Sequence, residues 1–170
     1  MTSDPRVRAP LVVLTALIVH LALLSRLRVA GVMPDLMLLL GIAAGLTGGP
    51  SRGAAVGFAS GMALDLFLQT PLGLSALVFT LVGFAVGTVE TGILRASWWI
   101  PVVTGLVASA AGEVLFALIG AMVGETQMVS GRLGVVVAVV AVANAILAPI
   151  VVRVMGWAMA RAPAKGAFVL

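Results

Sequence analysis

The sequence predicts an all-α membrane protein, a polytopic bundle of about six transmembrane helices with both termini cytoplasmic. Three observations predict it. The 170 residues are 62% hydrophobic and 9% charged, whereas an ordinary soluble domain is about 25% charged. The apolar residues fall into six runs, separated by short polar or Gly/Pro turns, and a membrane-crossing helix needs about 20 such residues. No segment alternates polar and apolar residues as a membrane β-strand would. Mean hydropathy is +1.24. No stretch outside the runs is long enough for a soluble domain. Residues 1–170 are therefore expected to form a single integral membrane domain, with short cytoplasmic ends at 1–9 and 161–170.

The first run, 10–24, follows a short polar start carrying Arg6 and Arg8. It has the length of a signal-peptide core. Ser25-Arg26-Leu27-Arg28 follows it where a small-residue cleavage site would stand, so it is read as an uncleaved first span. The second and third runs, 35–48 and 53–68, fold back on each other through Gly49-Pro50-Ser51-Arg52. Both are short for a bilayer, and 32–49 and 53–69 manage the crossing only if their ends lie under the headgroups. Thr70-Pro71-Leu72-Gly73 is the next turn, with Pro fixing φ and Gly relaxing the backbone.

The fourth span covers 74–89, with Gly83, Gly87 and Glu90 on one face. A polar junction ending at Arg95 leads to Ser97-Trp98-Trp99-Ile100-Pro101, where indole rings suit the headgroup level. The fifth span, 101–123, contains Glu113. A last polar loop through Gln127 and Arg132 precedes the sixth span, 133–152, which is interrupted by Asn144 and Pro149 and continues through Trp157 to a basic tail with Arg161 and Lys165. Six spans put Arg6, Arg8, Arg52, Arg95, Arg153, Arg161 and Lys165 on one side, and Arg26, Arg28 and Arg132 on the other. The positive-inside rule makes the richer side, which holds both termini, the cytoplasm.

The same composition narrows function. The absence of Cys excludes disulfides, thiolate metal sites and Cys nucleophiles. The net charge of +4 comes from cations scattered singly, with no basic, aromatic-studded stretch to hold nucleic acid. There is one His, no HExxH, no phosphate loop and no spaced Ser/His/Asp set. No cofactor, metal or catalytic residue is expected.

The informative residues are buried acids and glycines. With that topology, His20, Asp35, Asp65 and Glu113, from four different helices, all fall in the outer half of the membrane. Charges at that depth cost about 2.5–3.5 kcal/mol each and face a bundle interior or a water-filled cavity. With Asn144 they make an expected buried polar cluster. Each also has a structural role open to it. Asp35 suits the first turn of a helix after Pro34. Asp65 can hydrogen-bond neighbouring helices, and Glu113 can pair with His20 or Asn144. His20 can simply pack, and Asn144 and Pro149 can act as interhelical glue and a kink. Gly53, Gly57 and Gly61 recur at four-residue spacing before Asp65 and wind along one helix side. Ser60 and Ala63 lie off that side. Together with Gly83 and Gly87 these glycines form an expected face for close helix packing or for a partner.

Pro34-Asp35-Leu36 and an apolar run, then G-x-x-x-G-F-x-x-G-x-x-x-D ending at Asp65, then Pro71-Leu72-Gly73 and Ala76-Leu77, resemble the rod shape-determining protein MreD family. The stretch 144–149 resembles that family's C-terminal pattern. The resemblance implies an inner-membrane component of the cell-elongation machinery that makes peptidoglycan in rod-shaped bacteria. Its implied partners are an MreC-like protein, a RodA-like glycosyltransferase, a class B penicillin-binding protein, an MreB-like filament and membrane lipid. It also implies a fold related to the substrate-binding subunits of energy-coupling-factor vitamin transporters, with a pocket toward the outside. It brings no catalytic residues. Two function classes follow, a non-enzymatic scaffold and a vitamin-binding transporter subunit. Against the second, the expected cavity offers one Asn, one His and no Tyr, with all three Trp at cytoplasmic ends.

Overall fold

The computed structural model describes residues 5–22, 31–67, 71–93, 99–125, 127 and 129–160. Among them lie six helices and no strand: α1 (Pro5–Ala22), α2 (Leu36–Gly48), α3 (Pro50–Asp65), α4 (Leu74–Ile93), α5 (Ile100–Met122) and α6 (Leu133–Met159). The Ser25-Arg26-Leu27-Arg28 junction, Gln69, Thr70, Arg95, Trp98 and the tail with Arg161 and Lys165 lie outside the described residues.

α2 is the centre of the bundle. Every residue from Met37 to Leu46 is buried, and the helix touches all five others. A helix apolar all round is stable only when wrapped in this way. It is also the shortest helix, with 13 residues, or about 20 Å at about 1.5 Å per residue. Two helices, α5 with 23 residues and α6 with 27, are long and apolar enough to cross a membrane; α2 and the apolar parts of α1 and α4 are shorter.

The hairpin is tighter than the sequence suggests. Gly49 alone makes the turn, with φ 81°, a conformation open to glycine and strained for other residues. Pro50 follows at the first turn of α3, where its fixed φ starts a helix and its missing N–H costs nothing. α3 therefore begins at Pro50, three residues before the expected start, and ends at Asp65, where 68 was expected. α1 likewise starts at Pro5, ahead of the expected 10. Arg8, a residue favourable to helix, lies inside it, and its guanidinium stacks 4.8 Å from the centre of the Trp157 ring, a contact favourable to a cation.

Helix ends sort into two levels. His20, Asp35, Leu64, Ser75, Glu113 and Val136 surround one cavity. At the opposite level the Gly49–Pro50 turn meets Gly87, and Gly48 lies against Met159. Consecutive helices therefore run in alternating directions. The outward faces are apolar, with Leu14, Ile18, Phe58, Phe84, Val107 and Ile146 all exposed, while His20, Ser60, Asp65, Ser75, Ser109 and Asn144 are buried. Polar groups inside and hydrocarbon outside is the arrangement a lipid solvent selects.

Candidate functional site

Asp35 stands one residue before α2 and accepts hydrogen bonds at Oδ1 from the Met37 and Leu38 N–H groups, both at 3.0 Å. This satisfies two of the donors that a helix start leaves open, and the carboxylate suits the positive end of the helix dipole. The Asp35 carbonyl in turn accepts from Asn144 Nδ2 at 2.9 Å, and Nδ2 also donates to Ser109 Oγ at 2.9 Å. One amide thus ties α6 to α5 and to the start of α2. Asn144 was expected as a possible partner of Glu113; Glu113 makes no hydrogen bond or ion pair among the described residues.

Asp65 does similar work across a greater distance. It ends α3, and its carboxylate accepts from Gly73 N at 2.9 Å, Ser75 N at 3.2 Å and Ala76 N at 3.2 Å. It is the cap of α4, supplied by the preceding helix. All its visible capacity is spent on the backbone, and it stands behind the cavity wall, where Leu64 and Ser75 are the facing residues. His20, Asp35 and Glu113 share the wall of a cavity of about 210 Å³, whereas Asp65 and Asn144 do not line it. Among the described residues no three of His, Asp and Glu converge as metal ligands would.

The glycines meet one another. A Cβ on Gly57 would collide with the Phe79 carbonyl, one on Gly53 with the Gly83 carbonyl, and one on Gly61 would lie 2.6 Å from Ala76 Cα. Gly87 approaches Pro50, and from α2 Gly45 reaches Gly83 and Gly41 reaches Gly57. The glycine side of α3 is therefore filled by α4 of the same chain, and it is not open to a partner helix. Gly41 and Gly45 belong to this packing and were not singled out from the sequence. Ser60, placed off that side by sequence reasoning, is fully buried on a second packed face, where its Oγ donates to the Met37 carbonyl at 3.0 Å. α3 lies between α2 and α4, so it has two inner faces. Ser60, Ser75 and Ser109 were missed because a serine inside an apolar run gives no sign of facing inward or outward.

Residues 6–156 match the family of the rod shape-determining protein MreD. The chain belongs to the MreD family. The match covers all of α1 but its first residue, α2 to α5 whole, and all but the last turn of α6. No curated protein and no solved structure gives a significant match. MreD proteins are membrane proteins that determine cell shape, and the inside-out distribution of polar and apolar residues here fits that setting. Membership also accounts for the association with the cell-shape complex in general.

Proposed function

We propose that this protein is a non-enzymatic inner-membrane scaffold of the cell-elongation complex, crossing the membrane six times with both termini in the cytoplasm and binding an MreC-like partner. The observation that carries the reading is how its polar residues are employed. Asp65, Ser60, Ser109 and Asn144 are committed to holding helices together, and Asp35 caps the start of α2, in a chain of the MreD family. A bundle of that kind acts through its outer faces and short loops. The inner glycine face is occupied, so an MreC-like helix meets the exposed apolar sides of the bundle. RodA-like, penicillin-binding and MreB-like proteins join through the same assembly. The Arg8 and Arg52 end suits anionic headgroups on the cytoplasmic side.

Depletion in a rod-shaped host is expected to widen or round the cells, and purification in gentle detergent to recover the MreC-like protein. If shape persists, a vitamin requirement appears and an ATPase-bearing transporter module is recovered, the protein is a transporter subunit instead. The His20 cavity, about 210 Å³, is below the roughly 300–1,000 Å³ usual for drug-sized ligands, and the cavities that reach that range, about 510 Å³ and about 360 Å³, are lined almost wholly by apolar side chains.

Topology has its own test. Reporter fusions after Arg52 and after Arg95 are expected to read cytoplasm, and fusions after Arg28 and near Gln127 the outside. A cytoplasmic signal near Gln127 rules out six spans.

A further inference from the structure

The cavity at the His20 level has no part in the scaffold reading, yet it holds the unspent polar capacity of the core. Its wall carries His20 from α1, Asp35 ahead of α2, Ser75 from α4 and Glu113 from α5. His20 is 7% exposed and Ser75 0%, and neither His20 Nδ1 nor Ser75 Oγ has a hydrogen-bond partner among the described residues. Buried polar atoms are nearly always paired. One further atom of this kind, Asn144 Oδ1, belongs to an amide already fixed by two bonds through Nδ2. Asp35 spends Oδ1 on the helix start, which leaves Oδ2, and Glu113 is unspent.

The chemistry of the wall selects the ligand. Among the described residues two carboxyl groups and no Lys or Arg line the space, which disfavours an anion and favours a ligand that brings positive charge and N–H donors. A metal ion needs several converging oxygen ligands, and no such set exists among the described residues. An ammonium group presents up to three N–H donors, and the wall offers it acceptors on Asp35, Glu113, His20 Nδ1 and Ser75 Oγ. Leu38, Phe79 and Phe116 line the rest and suit a short alkyl chain, with the ring faces also favourable to a cation. We propose that this cavity binds a small primary alkylammonium compound. Glu113, Phe116 and Val136 also border a second cavity of about 280 Å³ beneath Gln127 and Ser130. Glu113 therefore stands between the loop side and the inner cavity, where an entering cation first meets charge.

The test uses the full chain in lipid nanodiscs, titrated with n-butylammonium chloride, with 1-butanol and sodium butyrate as size-matched controls. Calorimetric binding and thermal stability are both read. Saturable binding of butylammonium is expected, at least about tenfold tighter than 1-butanol. Glu113→Gln keeps the side chain's shape and breaks no hydrogen bond among the described residues, so it is expected to fold normally and to weaken butylammonium at least about tenfold. Ser75→Ala is expected to weaken it several-fold, and it decides the matter if Glu113→Gln does not fold. The absence of saturable binding by about 10 mM, equal binding of 1-butanol, or unchanged affinity in the folded variants overturns the proposal. None of these outcomes bears on cell shape, so the scaffold reading stands or falls separately.

Discussion

Gly57→Leu is expected to remove most of the folded protein from the membrane. A Cβ at this position would collide with the Phe79 carbonyl and lie 3.0 Å from the Thr80 nitrogen, both backbone atoms of α4. Backbone inside a helix cannot rotate aside as a side chain can, so α3 and α4 must separate. Separation is resisted at both ends, because Gly53 and Gly61 are in equally close contact above and below. Overpacking a core costs about 1–3 kcal/mol, occasionally more, against a total stability of about 5–15 kcal/mol. Leucine adds four carbons where one is already too many, so the cost lies at the upper end. At equal transcript level the membrane-inserted protein should fall several-fold, and Gly57→Ala should lie between the two. The control is Ala59→Leu, on the exposed face of the same helix, expected near wild type. Equal amounts of both leucine variants would mean that the α3–α4 contact is looser than the structure has it. Ser60 cannot serve as that control, since it is buried against α2.

Six apolar runs, their order and the α2–α3 hairpin were legible because hydropathy and Gly/Pro punctuation are properties of the chain itself. Which side of each helix faces inward was not. In water an amphipathic stripe reveals the core. Here both the core and the lipid-facing surface are apolar, and α2 is apolar all round. Glycine spacing therefore announced that some backbone approaches α3, and the sequence left open whose. The answer, α4, follows from the fold: the Asp65 cap ties the start of α4 to the end of α3, so the two helices pack along their length.

The buried polar set shows the same division. Charge counting placed four ionisable residues at one level, and the structure has His20, Asp35 and Glu113 around one cavity at that level. Asp65 shares the level and not the cavity. Its three donors lie eight to eleven residues further on, beyond the range of local capping patterns, which join a side chain to N–H groups two or three residues away. Asp35 does follow the local pattern, and Pro34-Asp35 signalled it. The serines carry no comparable signal, because a hydroxyl can bond its own helix backbone and so be at home on either face.

Asp65→Leu is expected to be the most damaging single change among the polar residues, and Asp65→Asn to fall between it and wild type. The carboxylate holds three N–H groups at the start of α4, Gly73 and Ala76 on Oδ2 and Ser75 on Oδ1. Its negative charge also opposes the positive end of the α4 dipole. Leucine leaves three donors unpaired in a site that is 2% exposed, each at about 1–3 kcal/mol, which together approach the stability of an ordinary domain. Asparagine with its oxygen in the Oδ2 place keeps two of the three bonds. Its amide then points N–H groups at the Ser75 N–H, so one bond is lost and two donors face each other. The cost should be about that of one unsatisfied donor, roughly 1–3 kcal/mol, measurable as a lowered melting temperature in detergent with the protein still recoverable. Asp65→Glu keeps the charge but adds a methylene to a closely packed site, and it should not restore wild-type stability. If Asn proves as damaging as Leu, the charge at the start of α4 outweighs the hydrogen-bond count. If Leu is tolerated as well as Asn, water reaches the start of α4, and Asp65 is not the cap that fixes α4 against α3.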